Sequence, residues 1–167
     1  MKLVFHLITL IVCVSLIGCA PQMTREQVAA GFTETRDPYT GDSSFSGPFF
    51  STYYNNIRST RSDVSMARGV FSGKGENPYF IFSIWATEWY FLKRVYVMDY
   101  GEVNVMTKSR DVRTGEVVES IAFVLPKSLI ISRKDSGIHI RLDGDKGDIE
   151  LMIPSYYIQG YLDALDR

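Results

Sequence analysis

Ile138-His139-Ile140-Arg141-Leu142-Asp143-Gly144-Asp145-Lys146-Gly147-Asp148-Ile149-Glu150-Leu151-Met152-Ile153-Pro154-Ser155-Tyr156-Tyr157-Ile158-Gln159-Gly160-Tyr161-Leu162 is the stretch whose reading decides the fold. Ile138, Ile140 and Leu142 alternate with His139, Arg141 and Asp143, a period of two that sends one set to a core and the other to water. Gly144 to Gly147 supplies turn residues, and Asp148 to Ile153 returns antiparallel, so the two runs form a hairpin. Pro154-Ser155 then opens a helix in which Ile158, Tyr161, Leu162 and Leu165 fall at i, i+3, i+4 and i+7. That apolar stripe is expected to lie across the sheet and close the core.

Working toward the N-terminus, strand-forming residues dominate back to Asp63. Val64 to Phe71 reads as a strand, and Pro78 to Ala86, nearly continuous Tyr, Phe and Ile with Trp85, as a strand covered on both faces. Trp89 to Met98 extends or follows it. Val103, Val105 and Thr107 alternate with Glu102, Asn104, Met106 and Lys108, which predicts one further strand. Arg113-Thr114-Gly115 turns the chain into a strand from Glu116 to Val124. Pro126 suits the first turn of a short helix through about Lys134, with Gly137 as its left-handed stop, although Ile130 and Ile131 would also suit a strand. Short turns between strands and few helices indicate an α+β fold, mainly antiparallel β-sheet with the C-terminal helix packed on it.

The segment before Asp63 has another texture, rich in Ser, Thr, Gly, Asn and Tyr, with turns at Asp37-Pro38, Gly41-Asp42 and Gly47-Pro48. Thr24 and Gln27 have capping-box spacing, each side chain able to satisfy the other's backbone amide, which predicts a helix from Arg25 to about Ala30 ended by Gly31. Phe45, Phe49, Phe50, Tyr53 and Tyr54 are too apolar for a free linker and are expected to pack back onto the domain. The resulting division is a leader over Met1–Gly18, a tether and irregular segment over Cys19–Pro48, and one β-rich domain over Phe49–Arg167.

Met1-Lys2 gives a positive start, Leu3 to Ile17 an apolar run too short to span a bilayer, and Leu16-Ile17-Gly18-Cys19 closes it. This pattern resembles the lipobox of bacterial lipoproteins. The resemblance implies that a diacylglyceryl group joins the Cys19 sulfur, that a signal peptide is cleaved after Gly18, and that the new amine is acylated. Cys13 is a poor competitor, because β-branched Val12 precedes it where the family has a small residue. An ordinary secretory leader, with Cys19 there by chance, is the bland alternative. Two or three acyl chains hold a domain at a membrane durably. Ala20 departs from the aspartate that retains such proteins at the inner membrane, so in a Gram-negative host the resemblance implies the periplasmic face of the outer membrane. The sequence around Ile153 to Leu162 is also similar to uncharacterised envelope lipoproteins, with no activity attached.

Among the chain's 18 basic and 19 acidic residues, Lys2 would leave with the leader, so the mature domain is slightly acidic. That balance argues against a nucleic-acid partner, which demands clustered Lys and Arg. With Cys19 acylated and Cys13 removed, no thiol remains for a disulfide. The core must then carry stability alone.

Chemistry-bearing residues are sparse. His139 is the one histidine of the mature chain, on the strand face opposite Ile138 and Ile140. It has no serine in a Gly-x-Ser-x-Gly elbow to activate and no companions at zinc-ligand spacing. Asp143 to Asp148 is the densest carboxylate cluster, but it lacks the later ligands of a calcium loop and suits a turn. Glu88 with Asp99 could serve glycoside cleavage only at defined separations. Gly73-Lys74-Gly75 lacks the frame of a phosphate loop. No cofactor and no metal site is expected. Tyr53, Tyr54, Trp85 and Trp89 are the candidate binding residues, since such rings stack on sugars or anchor protein partners, although Trp85 and Trp89 sit where a disulfide-free core wants large rings.

Three functions fit. The leading one is a lipid-anchored, non-catalytic envelope protein with a binding or scaffold role toward an envelope protein or glycan. The others are a small envelope hydrolase acting on glycan or peptide, and a carrier of a small apolar ligand. Cys19→Ser is expected to move the protein from the membrane pellet to the soluble fraction, as read by fractionation and immunoblotting. Unchanged pelleting would refute the anchor.

Overall fold

The computed structural model describes residues 23–53, 55–56, 64–72, 78–86, 88–113 and 116–167. The leader, Cys13, Cys19, Tyr54, Gly73 to Gly75 and Thr114-Gly115 lie outside the described residues. Thr24 and Gln27 form the expected capping box: the Thr24 amide donates to Gln27 Oε1 at 2.8 Å and the Gln27 amide to Thr24 Oγ1 at 3.3 Å. Two orphan amides are thereby satisfied, and helix α1 spans Arg25–Ala30 with Gly31 as its cap. Strands β1 (Thr33–Arg36) and β2 (Ser43–Ser46) then pair antiparallel. The described part of the expected tether thus carries a helix and a hairpin, because Val28, at 0 % exposure, plugs into the core.

Ten strands follow: β3 (Phe50–Tyr53), β4 (Asn55–Asn56), β5 (Val64–Ser72), β6 (Tyr79–Ala86), β7 (Leu92–Val97), β8 (Gly101–Val103), β9 (Val105–Arg113), β10 (Glu116–Val124), β11 (Ile138–Gly144) and β12 (Gly147–Ile153). Helix α2 (Lys127–Ser132) precedes β11, and α3 (Ser155–Leu165) follows β12. Sheet A runs β1-β2-β5-β6-β10-β9, with β3 also paired to β5; sheet B runs β4-β12-β11-β7-β8. Every pairing is antiparallel. The α+β class and the helix laid against the sheet are as the sequence indicates.

Differences from the sequence reading have local causes. The run from Val103 to Thr107 is two strands: Val103 sits buried in sheet B, Asn104 leaves the ladder, and Val105 enters sheet A. The Asn104 carbonyl accepts the Val124 amide at 2.9 Å, which pins the crossing. β6 is buried on one face and half-buried on the other, where Tyr79, Ile81, Ser83 and Trp85 lie. α2 ends at Ser132, and Gly137 takes the left-handed φ of 82° that directs the chain into β11.

Phe80, Phe82 and Ile84 of β6 and Ile121 and Phe123 of β10 share one apolar cluster with Val95, Val97, Leu142 and Ile149 of sheet B. Tyr157, Ile158 and Tyr161 of α3 are each 0 % exposed, whereas Leu162 and Leu165 are only half-buried. The helix is therefore turned toward Tyr157 relative to the expected stripe. Burial of each such side chain contributes about 1.5–3 kcal/mol. The Tyr157 hydroxyl accepts the Gly69 amide and donates to the Pro48 carbonyl, both at 2.8 Å, fixing α3 to β5 and the loop before β3. Gly160 lets α1 approach: a Cβ there would come within 2.5 Å of the Arg25 carbonyl oxygen.

Glu119 of β10 is 2 % exposed and points inward beside Ile121. Its Oε2 accepts the amides of Tyr90 (3.0 Å) and Phe91 (2.9 Å), and its Oε1 the amide of Leu92 (2.6 Å) and Arg110 Nε (3.2 Å). Phe91 holds a φ of 56°, rare for a bulky residue, under the Arg110 guanidinium at 4.9 Å. Glu119→Ala strands three amides and is expected to lower unfolding stability by about 3 kcal/mol or more, measured by urea denaturation. A loss under about 1 kcal/mol would mean that water replaces the carboxylate.

Candidate functional site

Alternation in sheet B places its polar set on the outer face as a grid. Across the strands, one row reads Arg94, Asp143, Asp148 and the next Glu102, Tyr96, Arg141, Glu150, with His139 opposite Met152 beyond. The Met98 amide donates to the His139 carbonyl at 3.0 Å and extends that last row.

A groove of about 450 Å³ opens here, lined by Tyr96, Met98, Tyr100, His139, Arg141 and Glu150 among others. Met98 and Tyr100 are 60 % and 52 % exposed. The Tyr96 ring is half-buried and flanked by two guanidiniums, Arg141 at 4.9 Å and Arg94 at 5.6 Å from its centroid. A smaller depression of about 100 Å³ adjoins it, sharing His139, Val97 and Met98 and adding Arg133 and Ser136. Arg133 meets Asp99 at 3.5 Å between the two.

Arg94 bonds the Asp143 carboxylate through Nε at 2.8 Å and also through Nη2. Burial pulls the Asp143 carboxyl upward, but the hydrogen bonds from Arg94 and with Asp148, and the charges of Arg94 and Arg141, outweigh it and hold the group below the ordinary value. Lys93 takes Asp145. The Asp143–Asp148 stretch is thus a hairpin turn with two of its carboxylates bonded to cations. Among the described residues no three of His, Cys, Asp and Glu gather as a metal site would need.

The sequence candidates are scattered. Trp85 lies on the outer face of sheet A and Trp89 in the segment before β7, both half-buried, and neither lines the groove. The backbone of Tyr53 ends β3; its side chain and all of Tyr54 lie outside the described residues. His139 is exposed on the outer face, as its alternation indicates. Reading the sequence alone missed Tyr96, Met98, Tyr100 and Arg141. The available signal was the outward parity of Arg141 and Glu150, but their meeting with Tyr96 depends on the pairing of β7 with β11.

No family model, no curated protein and no solved structure matches the chain. No helix among the described residues is long and apolar enough to cross a membrane.

Because the Asp143 carboxyl is held low in the folded state, the stability it adds is present above the unfolded value of about 3.9 and lost as pH falls through the lower folded value. Asp143→Asn is expected to cost about 0.5–1 kcal/mol at neutral pH, since Arg94 is well exposed. The cost should vanish in strong acid, as read by melts across pH; a difference that persists there would show that the pair does not act through charge.

Proposed function

We propose that this chain is a lipid-anchored envelope protein that acts as a non-catalytic binding module at the periplasmic face of the outer membrane, holding a protein partner on the outer face of sheet B. The anchor rests on the lipobox-like Leu16-Ile17-Gly18-Cys19. The observation that carries the binding role is the groove in which exposed Met98 and Tyr100 flank a Tyr96 ring set between Arg94 and Arg141. Tyr, Met and Arg are the residues enriched where proteins meet. The exposed Arg141 and Glu150 offer both signs of charge to a peptide chain. A glycan fits less well, because the guanidiniums beside the Tyr96 ring compete with a sugar for its faces.

A small amphipathic ligand is the second reading, favoured by a groove volume within the range of small-molecule sites. Its place is the solvent side of the sheet; the space between the sheets holds the shared apolar cluster.

A photoreactive amino acid at Tyr100 in intact cells is expected to trap one protein adduct, absent with the same group at Val112. Adding Arg141→Glu should weaken partner binding about tenfold or more, a hot-spot loss above 1.4 kcal/mol. Equal trapping at both positions, or adducts indifferent to Arg141, would reject this face.

A further inference from the structure

Resting on the lipid anchor just proposed, we infer that the cleft between α1, α2 and α3 is the face that lies against the bilayer, its occupant being a phospholipid surface. Cys19 stands six positions before Arg25, so a fully extended connection reaches about 20 Å at most. A domain of this length has a radius of gyration near 15 Å and a diameter of roughly 40 Å. The leash is shorter than the body. Acyl chains on Cys19 therefore hold the α1 end at the membrane, whatever path the intervening residues take.

What surrounds Arg25 fits that position. It borders a cleft of about 320 Å³ shared with Lys127, Ile131, Lys134, Leu162 and Leu165. Ile131 is 48 % exposed, the two leucines are half-buried, and both lysines are exposed. An apolar floor whose rim sets Arg25, Lys127 and Lys134 beside Asp135, Asp163 and Asp166 suits a seat at the headgroup boundary through its lysines, whose stems lie along apolar material while their ammonium groups meet phosphate. Of the acidic residues in the cleft, Asp163 is bonded by both Nε and Nη2 of Arg25 at 2.6 Å, and Asp135 accepts from Gln159 at 3.1 Å. Asp166 also lines it.

Val112 marks the opposite end. Tyr161 of α3 packs on Phe80 near the start of β6, whereas Ala86, ending β6, pairs through Val117 to Val112. Six strand residues separate the two levels, about 20 Å.

The test uses the full lipidated protein in vesicles of phosphatidylcholine and phosphatidylglycerol, with a fluorophore on an introduced thiol at Ile131→Cys, Lys134→Cys or Val112→Cys. Acylation of Cys19 leaves the new thiol as the labelling site. Bromine on the lipid chains is expected to cause a loss of emission at 131 and 134 but not at 112, with cooperative melts confirming the fold of each variant. Equal quenching at all three positions, or none at 131 and 134 in protein whose mass confirms acylation, overturns the inference while the anchor stands. Mass spectrometry that finds Cys19 unmodified overturns the anchor itself, and this inference with it.

Discussion

The Glu119 carboxylate is the constraint on which the two-sheet arrangement depends. The chain passes back and forth between the two sheets, so sheet B must meet sheet A at a fixed place. The backbone turns at Phe91 to start β7, and three successive amides there donate to a side chain of the other sheet. A buried acceptor with two oxygens satisfies all three, and Arg110 balances its charge from the edge strand. Hydrogen bonds to a charged group are about twice as strong as neutral ones, enough to offset a positive φ at a bulky side chain. The far end of the sandwich is held differently, by one tyrosine hydroxyl shared between Gly69 and Pro48.

Much of the local structure was legible in the sequence. The capping box, the β11–β12 hairpin, the β10 strand and α3 follow from short-range rules, and each is present. Sheet membership was not legible. A period-two pattern tells which residues face inward, yet it is blind to which sheet a strand joins, so the break at Asn104 between Val103 and Val105 passed as a continuous run. Glu119 is more instructive. It occupies an inward position in the series Val117, Glu119, Ile121, Phe123, and a carboxylate at such a parity demands donors from elsewhere. The sequence contained that demand but not its answer, which lies 27 to 29 residues upstream.

The site was the less readable part for a related reason. Trp85 and Trp89 drew attention as large rings, but the groove is built from Tyr96, Tyr100 and Met98, ordinary residues made notable by their neighbours. Cross-strand order sets a ring beside two guanidiniums and leaves an arginine next to a glutamate. Such a surface is chemically mixed over a few ångströms, which favours selectivity over tightness.

The interleaving of the sheets carries a consequence for how the chain is made. β4 belongs to sheet B while β5 and β6 belong to sheet A; β7 and β8 return to B, β9 and β10 to A, and β11 and β12 to B again. Neither sheet is a contiguous stretch that could be completed first, and contact order is correspondingly high, which slows folding. The tyrosines that fill the interior arrive last, on α3. A polypeptide that appears from its N-terminus onward thus carries open apolar faces until α3, the last element to appear, covers them.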